Sequence, residues 1–193
     1  MPIMRYLVSQ VAIRSAMNII LLPNILSVSR CVLALPMGYF IVQGAWLYAS
    51  IILWIAIATD IADGQLARYL SSQSNLGSVL DHGSDAIFVT IMLAALVYHE
   101  LVPIVLPVLI PIAFLQYMLD SKALAGKSLR TSILGRHNGI CYFILGGFPI
   151  MQHALKIYPI EASTIFWVGW GLLLSTIVSM VDRLLSLLRG VNK

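Results

Sequence analysis

Charge is what this sequence has least of. Asp, Glu, Lys and Arg make up 10% of its 193 residues, and only eight are acidic. Soluble domains carry about 25% charged residues, so a soluble fold is excluded at the outset. Cysteine is equally scarce. Cys31 and Cys141 stand alone in apolar runs, which rules out a disulfide framework and any cysteine-based metal spacing. Both read as packing residues. Low-complexity tracts, long linkers and repeats of useful length are missing too, so a single domain over residues 1–193 is expected. What fills the chain is apolar: 60% hydrophobic residues with a mean hydropathy of +0.91. That is the composition of a polytopic membrane protein. The net charge of +4 then reflects the basic bias of cytoplasmic loops rather than a nucleic-acid partner.

A spanning helix needs about 20 apolar residues. Six segments qualify, at roughly 24–43, 46–70, 76–98, 103–119, 138–155 and 161–186. The fourth holds Pro103, Pro107 and Pro111, so kinks are expected there. Before the first span, residues 3–20 loosely alternate apolar and polar side chains, and read as an amphipathic helix lying at the interface. A cleavable leader is not expected, because Arg14 interrupts the apolar run and no small-residue cleavage site follows. The fold class is therefore an all-α integral membrane protein, with six transmembrane helices in one bundle behind an interfacial helix. Placing the N-terminus in the cytoplasm puts ten basic residues on that side and only Lys156 opposite, with Arg30 inside the first helix. Both termini and the link between the second and third helices then face the cytoplasm. The expected location is a bacterial inner membrane or its equivalent.

Four of the eight acids fall in one stretch of 26 residues, Asp60 to Asp85, between two strongly apolar runs. Carboxylates in such surroundings are costly unless they pair, bind metal or line a wet cavity. Asp60 and Asp63 are spaced i, i+3, and Asp81 and Asp85 are spaced i, i+4, so each pair shares a helix face. The short polar link Ser71–Asn75 makes the two helices a hairpin, and the pairs face each other at similar depth. Like charges that close repel; a divalent cation removes the repulsion. An all-carboxylate set suits Mg²⁺, Mn²⁺ or Ca²⁺. Zinc is a poor fit, and His82 lies about 100° round the helix from Asp81, so it reads as a neighbour. Gly64 and Ala67 share the face of Asp60 and Asp63, and Gly77 lies four residues before Asp81. They serve either close helix packing or an open floor for a flat ligand. Arg68, one turn further, either meets a phosphate or snorkels to the interface. Together these features point to phosphoryl chemistry on a lipid-linked substrate.

The spacing Asp60-x2-Asp63-Gly64-x2-Ala67-Arg68-x8-Gly77-x3-Asp81-x3-Asp85 resembles the CDP-alcohol phosphatidyltransferase motif at all eight fixed positions. The resemblance implies that the hydroxyl of a small polar alcohol attacks CDP-diacylglycerol and that CMP leaves. It implies two divalent ions, Mg²⁺ or Mn²⁺, held by Asp60, Asp63, Asp81 and Asp85, with Asp85 also the general base. It further implies a CDP-lipid site formed by Asp60, Gly64, Ala67, Arg68, Ser74 and Gly77, and a homodimer in the membrane.

The segment PNILSVSR, Pro23 to Arg30, is similar to the opening of the phosphatidylglycerophosphate synthase and cardiolipin synthase branches. Asp81-His82-Gly83-Ser84-Asp85 departs from the Asp-Pro-x-x-Asp of those branches, and is nearer to choline and ethanolamine phosphotransferases. The favoured acceptor is glycerol 3-phosphate, bound by Arg30, Lys122, Lys127, Arg130 and Arg136. Inositol phosphate, phosphatidylglycerol, serine and a choline- or ethanolamine-type reaction are the alternatives. From a different class, a cation or proton transporter would also explain intramembrane acids.

Overall fold

The computed structural model describes residues 25–69, 75–121, 133–157 and 160–191. The expected interfacial helix over residues 1–20 lies outside them, as do Ser74, Lys122, Lys127 and Arg130. The side chains of Asp63, Ala67 and Arg68 also lie outside what is described.

Six helices and no strand make up the described residues: α1 (Ile25–Val42), α2 (Trp46–Tyr69), α3 (Asn75–Val97), α4 (Val105–Asp120), α5 (Ile133–Leu155) and α6 (Ala162–Val191). This is the all-α membrane bundle that the hydropathy implies. By length and composition α1, α3 and α6 can each cross a membrane; the apolar part of α2 is Trp46–Ala62, and α4 is a shorter apolar helix. The outward surface is greasy: Val32, Leu35, Trp54, Val108, Trp167 and Leu174 are all exposed. A face of that kind suits lipid rather than water.

Two boundaries differ from expectation. α5 starts five residues earlier, at Ile133, and α6 runs five residues further, to Val191. Counting apolar residues finds where the hydrocarbon ends. Backbone hydrogen bonding carries on into the interface, where long basic side chains reach the headgroups. The correction moves Arg136 out of the basic link and into the first turns of α5.

Packing relies on small residues, as it does where lipid replaces water as solvent. Gly146 and Gly147 on α5 let that helix close onto Met92 of α3 and Leu53 of α2. Gly38 on α1 abuts Ile91 of α3. The inward stripe of α1 is Ser27, Arg30, Ala34, Met37 and Ile41, all buried at a spacing of three and four. α3 packs on α4 and α5, α4 on α6, and α5 on α2 and α6.

The end of the bundle opposite the α2–α3 hairpin is closed by repeated use of one cap. α1, α3 and α5 each stop at a residue with positive φ: Gly44, Glu100 and Lys156. In each case the next residue's N–H donates to a carbonyl five positions back: Ala45 to Phe40, Leu101 to Leu96 and Ile157 to Gln152. This is the Schellman arrangement that satisfies a helix's last carbonyls. Trp46 packs against His99 and His153 at the same end, and a ring nitrogen of His99 lies 2.7 Å from the Ile41 carbonyl. Both histidines thus have structural contacts at this end of the bundle.

Candidate active site

The acids meet at the hairpin end of the bundle. Asp60 lies nine residues before the end of α2, and Asp85 ten residues after the start of α3. At 1.5 Å per residue, both sit roughly 14 Å in from the hairpin. The two acids therefore lie at similar distances from the facing ends of their helices. Asp60, Asp81 and Asp85 offer carboxylate oxygens that all lie within 4.8 Å of one another. Gly64 shares a face with Asp60, and Gly77 with Asp81 and Asp85.

Arg30 is bound directly into this cluster. It is fully buried on α1, and its guanidinium spans the three acids. Nη1 donates to Asp60 Oδ1 at 2.7 Å and also to Asp85 Oδ1; Nη2 donates to Asp81 Oδ1 at 2.5 Å. Ser27, one turn earlier, donates to the same Asp81 oxygen at 3.4 Å. A planar fork of this kind suits several carboxylates at once in a way that lysine does not. The acid side chains keep between a third and a half of their surface exposed, while that of Arg30 keeps 1%. The arginine therefore lies beneath the acids, and the acids face outward.

That arrangement fits a divalent ion. Each carboxylate meets Arg30 through Oδ1 and keeps a third to a half of its side-chain surface exposed. Three carboxylates around one guanidinium leave these described side chains with an excess of negative charge, which divalent cations would offset. The donor set is all oxygen, as hard cations prefer.

A cavity of about 400 Å³ opens from Asp60 and Asp85 between α3, α4, α5 and α6. Val89, Ile110, Phe114 and Phe143 make much of it apolar. Its polar groups include His82, Tyr117, Arg136, Asn138 and Arg183. Two buried hydrogen bonds brace the α5–α6 wall: Ser175 donates to Asn138 at 2.7 Å, and the Tyr142 and Thr176 hydroxyls are 2.5 Å apart. Of the basic residues expected to hold an acceptor, Arg136 reaches this cavity, and Arg30 is held by the acids instead.

Arg183 and Tyr117 escaped the sequence reading. The Arg183 guanidinium lies 4.5 Å over the Tyr117 ring. The available signal was that Arg183 nears the end of α6 at the depth where Arg136 opens α5. Tyr117 and Gln116 are likewise polar interruptions in an apolar helix.

A carboxylate cluster braced by a buried arginine, beside a mainly apolar cavity that two arginines also line, is a donor set of the kind hard cations and anionic groups prefer. The CDP-alcohol phosphatidyltransferase profile matches residues 20–183, and the chain belongs to that family. Membership displaces the transporter alternative.

Among curated relatives, a probable CMP-forming cardiolipin synthase of Drosophila melanogaster is 41% identical over 87 residues, 45% of this chain and 27% of that protein. The CMP-forming cardiolipin synthase of Homo sapiens is 38% identical over 90 residues, 46% of this chain and 30% of that protein. A CDP-diacylglycerol–glycerol-3-phosphate 3-phosphatidyltransferase of Aquifex aeolicus is 32% identical over 66 residues, 34% of this chain and 37% of that protein. The matched part thus covers well under half the length of each relative. No solved structure matches the chain.

Proposed function

We propose that this protein transfers a phosphatidyl group from CDP-diacylglycerol to the hydroxyl of a glycerol-phosphate acceptor, releasing CMP. The observation that carries the reading is the cluster of Asp60, Asp81 and Asp85, opening on a cavity that Arg136 and Arg183 also line. Asp60, Asp81 and Asp85, with Asp63, would hold two divalent ions, Mg²⁺ or Mn²⁺. Ions bound there supply electrostatic stabilisation of the charge that builds on the diphosphate as CMP leaves. Arg30 keeps the acids aligned from below. Gly64, Ala67, Ser74 and Gly77 would form the floor under cytidine, and Arg68 would meet the diphosphate. Asp85, which lines the cavity, takes the proton of the attacking hydroxyl. Arg136 and Arg183 bind the acceptor phosphate, as guanidinium groups commonly do. Lys122, Lys127 and Arg130 extend that basic surface.

Within this chemistry the mainly apolar cavity favours an acceptor that is itself a lipid, and the likeness to cardiolipin synthases points the same way. Phosphatidylglycerol is therefore placed first. Glycerol 3-phosphate, favoured by the sequence, is the second reading, supported by the paired arginines and by the Aquifex relative. The proposal includes one domain over residues 1–193, an active site on the cytoplasmic side and a homodimer; the last rests on family resemblance alone.

The test is a product assay. Purified protein receives CDP-diacylglycerol and, in parallel, phosphatidylglycerol, glycerol 3-phosphate, inositol phosphate, serine and choline. Mass detection of cardiolipin or phosphatidylglycerophosphate is expected. Product from serine or choline alone would sink the acceptor reading.

A further inference from the structure

We infer that the Tyr117 hydroxyl donates a hydrogen bond to the acceptor's phosphate, which makes Tyr117 a specificity-determining residue of the proposed reaction. The inference rests on the functional reading above and assigns a recognition role that this reading does not contain.

Tyr117 is nine-tenths buried on α4 and lines the cavity that starts at Asp60 and Asp85. Its hydroxyl has no hydrogen-bond partner among the described residues. Buried hydroxyls are nearly always satisfied, because water's hydrogen bonds were given up to bury them. The contrast with Tyr142, which lines the same cavity from α5 but is bonded to Thr176, shows that the fold supplies partners where it needs only structure. At Tyr117 the missing partner is expected to come from a molecule in the cavity.

The charge around the ring selects the kind of molecule. The Arg183 guanidinium covers one face of Tyr117 at 4.5 Å, and Arg136 lines the same cavity from α5. One cation on the phenol ring and a second lining the same cavity create a place for an anion. The same stacking takes up the ring face that a quaternary ammonium would need, so a choline-type acceptor is disfavoured here. A phosphate oxygen carries no proton at a diester and accepts from O–H, N–H and guanidinium alike. Phosphodiester and phosphomonoester acceptors share this chemistry, and the experiment keeps them apart.

Tyr117→Phe removes only the hydroxyl and keeps the ring under Arg183. Steady-state rates are compared for the full chain and the variant with CDP-diacylglycerol and Mg²⁺. The acceptors are phosphatidylglycerol in mixed micelles, soluble glycerol 3-phosphate and, as a phosphate-free control, glycerol. The KM of whichever phosphate-bearing acceptor is used should rise by roughly ten- to a hundredfold, the range for a hydrogen bond to a charged group. The kcat should change several-fold less, and the KM for CDP-diacylglycerol should hardly move. Selectivity for that acceptor over glycerol should fall at least about tenfold. Unchanged constants in the variant, or equal losses with glycerol, would overturn the inference while leaving the transfer reaction standing. A wild-type chain that releases no CMP with any acceptor would overturn the functional reading and this inference with it.

Discussion

Asp85→Asn is expected to lower kcat by at least about a hundredfold, the lower range for loss of a general base, while CDP-diacylglycerol binding partly survives. The substitution is nearly isosteric, so the effect is one of charge and proton chemistry. Asp85 is placed for both. It sits on α3, lines the cavity and meets Arg30 through Oδ1. An amide cannot accept a proton, and it turns either its oxygen or its NH₂ away from Arg30. Asp60 and Asp81 keep their own bonds to the guanidinium, which is why donor binding should outlast turnover. Binding is read by CMP or CDP-lipid titration and turnover by CMP release. Substantial residual turnover would remove Asp85 from the role of base.

Arg30→Gln carries the second large effect, and it acts on stability as well as rate. The wild-type guanidinium neutralises part of a three-carboxylate cluster from a fully buried position. Without it, three like charges share a site within 4.8 Å. Removing one partner of a fully buried ion pair costs about 3–5 kcal/mol. Here the acids are a third to a half exposed, so solvent screening reduces this to roughly 1–3 kcal/mol. The thermal midpoint in detergent should drop by several degrees, and turnover should fall at least about a hundredfold as the acids lose their alignment. The diagnostic result is that Mg²⁺ or Mn²⁺ should raise the variant's midpoint more than it raises the wild type's. In the variant the ion alone offsets the repulsion that Arg30 otherwise relieves. A variant as stable as wild type in the presence of chelator would show that Arg30 does not brace the cluster. Arg30→Lys should recover part of the stability and little of the rate, since an ammonium cannot reproduce the planar fork.

The sequence makes the number of helices, their alternating direction and the depth of the acids legible. Each rests on one-dimensional information: apolar run length, basic residues between runs, and i, i+3 or i, i+4 spacing. Where the polar interface begins is less legible, which is why α5 and α6 extend past their expected ends. Lateral helix packing is not legible. Arg30 stands out as a basic residue inside the first expected span, but spacing along α1 cannot say that it faces α2 and α3 rather than an acceptor. The stacking of Arg183 on Tyr117 depends on α6 lying against α4, a pairing between helices 42 residues apart at their nearest ends. The cavity is a product of the same lateral arrangement, and so are the residues that line it.

The central claim is that the acid cluster at the hairpin end of this bundle carries out phosphatidyl transfer. Its most direct test is CMP release by the purified protein, measured with CDP-diacylglycerol, a phosphate-bearing glycerol acceptor and Mg²⁺ or Mn²⁺. The account predicts CMP in step with phospholipid product, abolished by chelator and by Asp85→Asn. Folded protein that releases no CMP across the full panel of alcohols and both metals would contradict it.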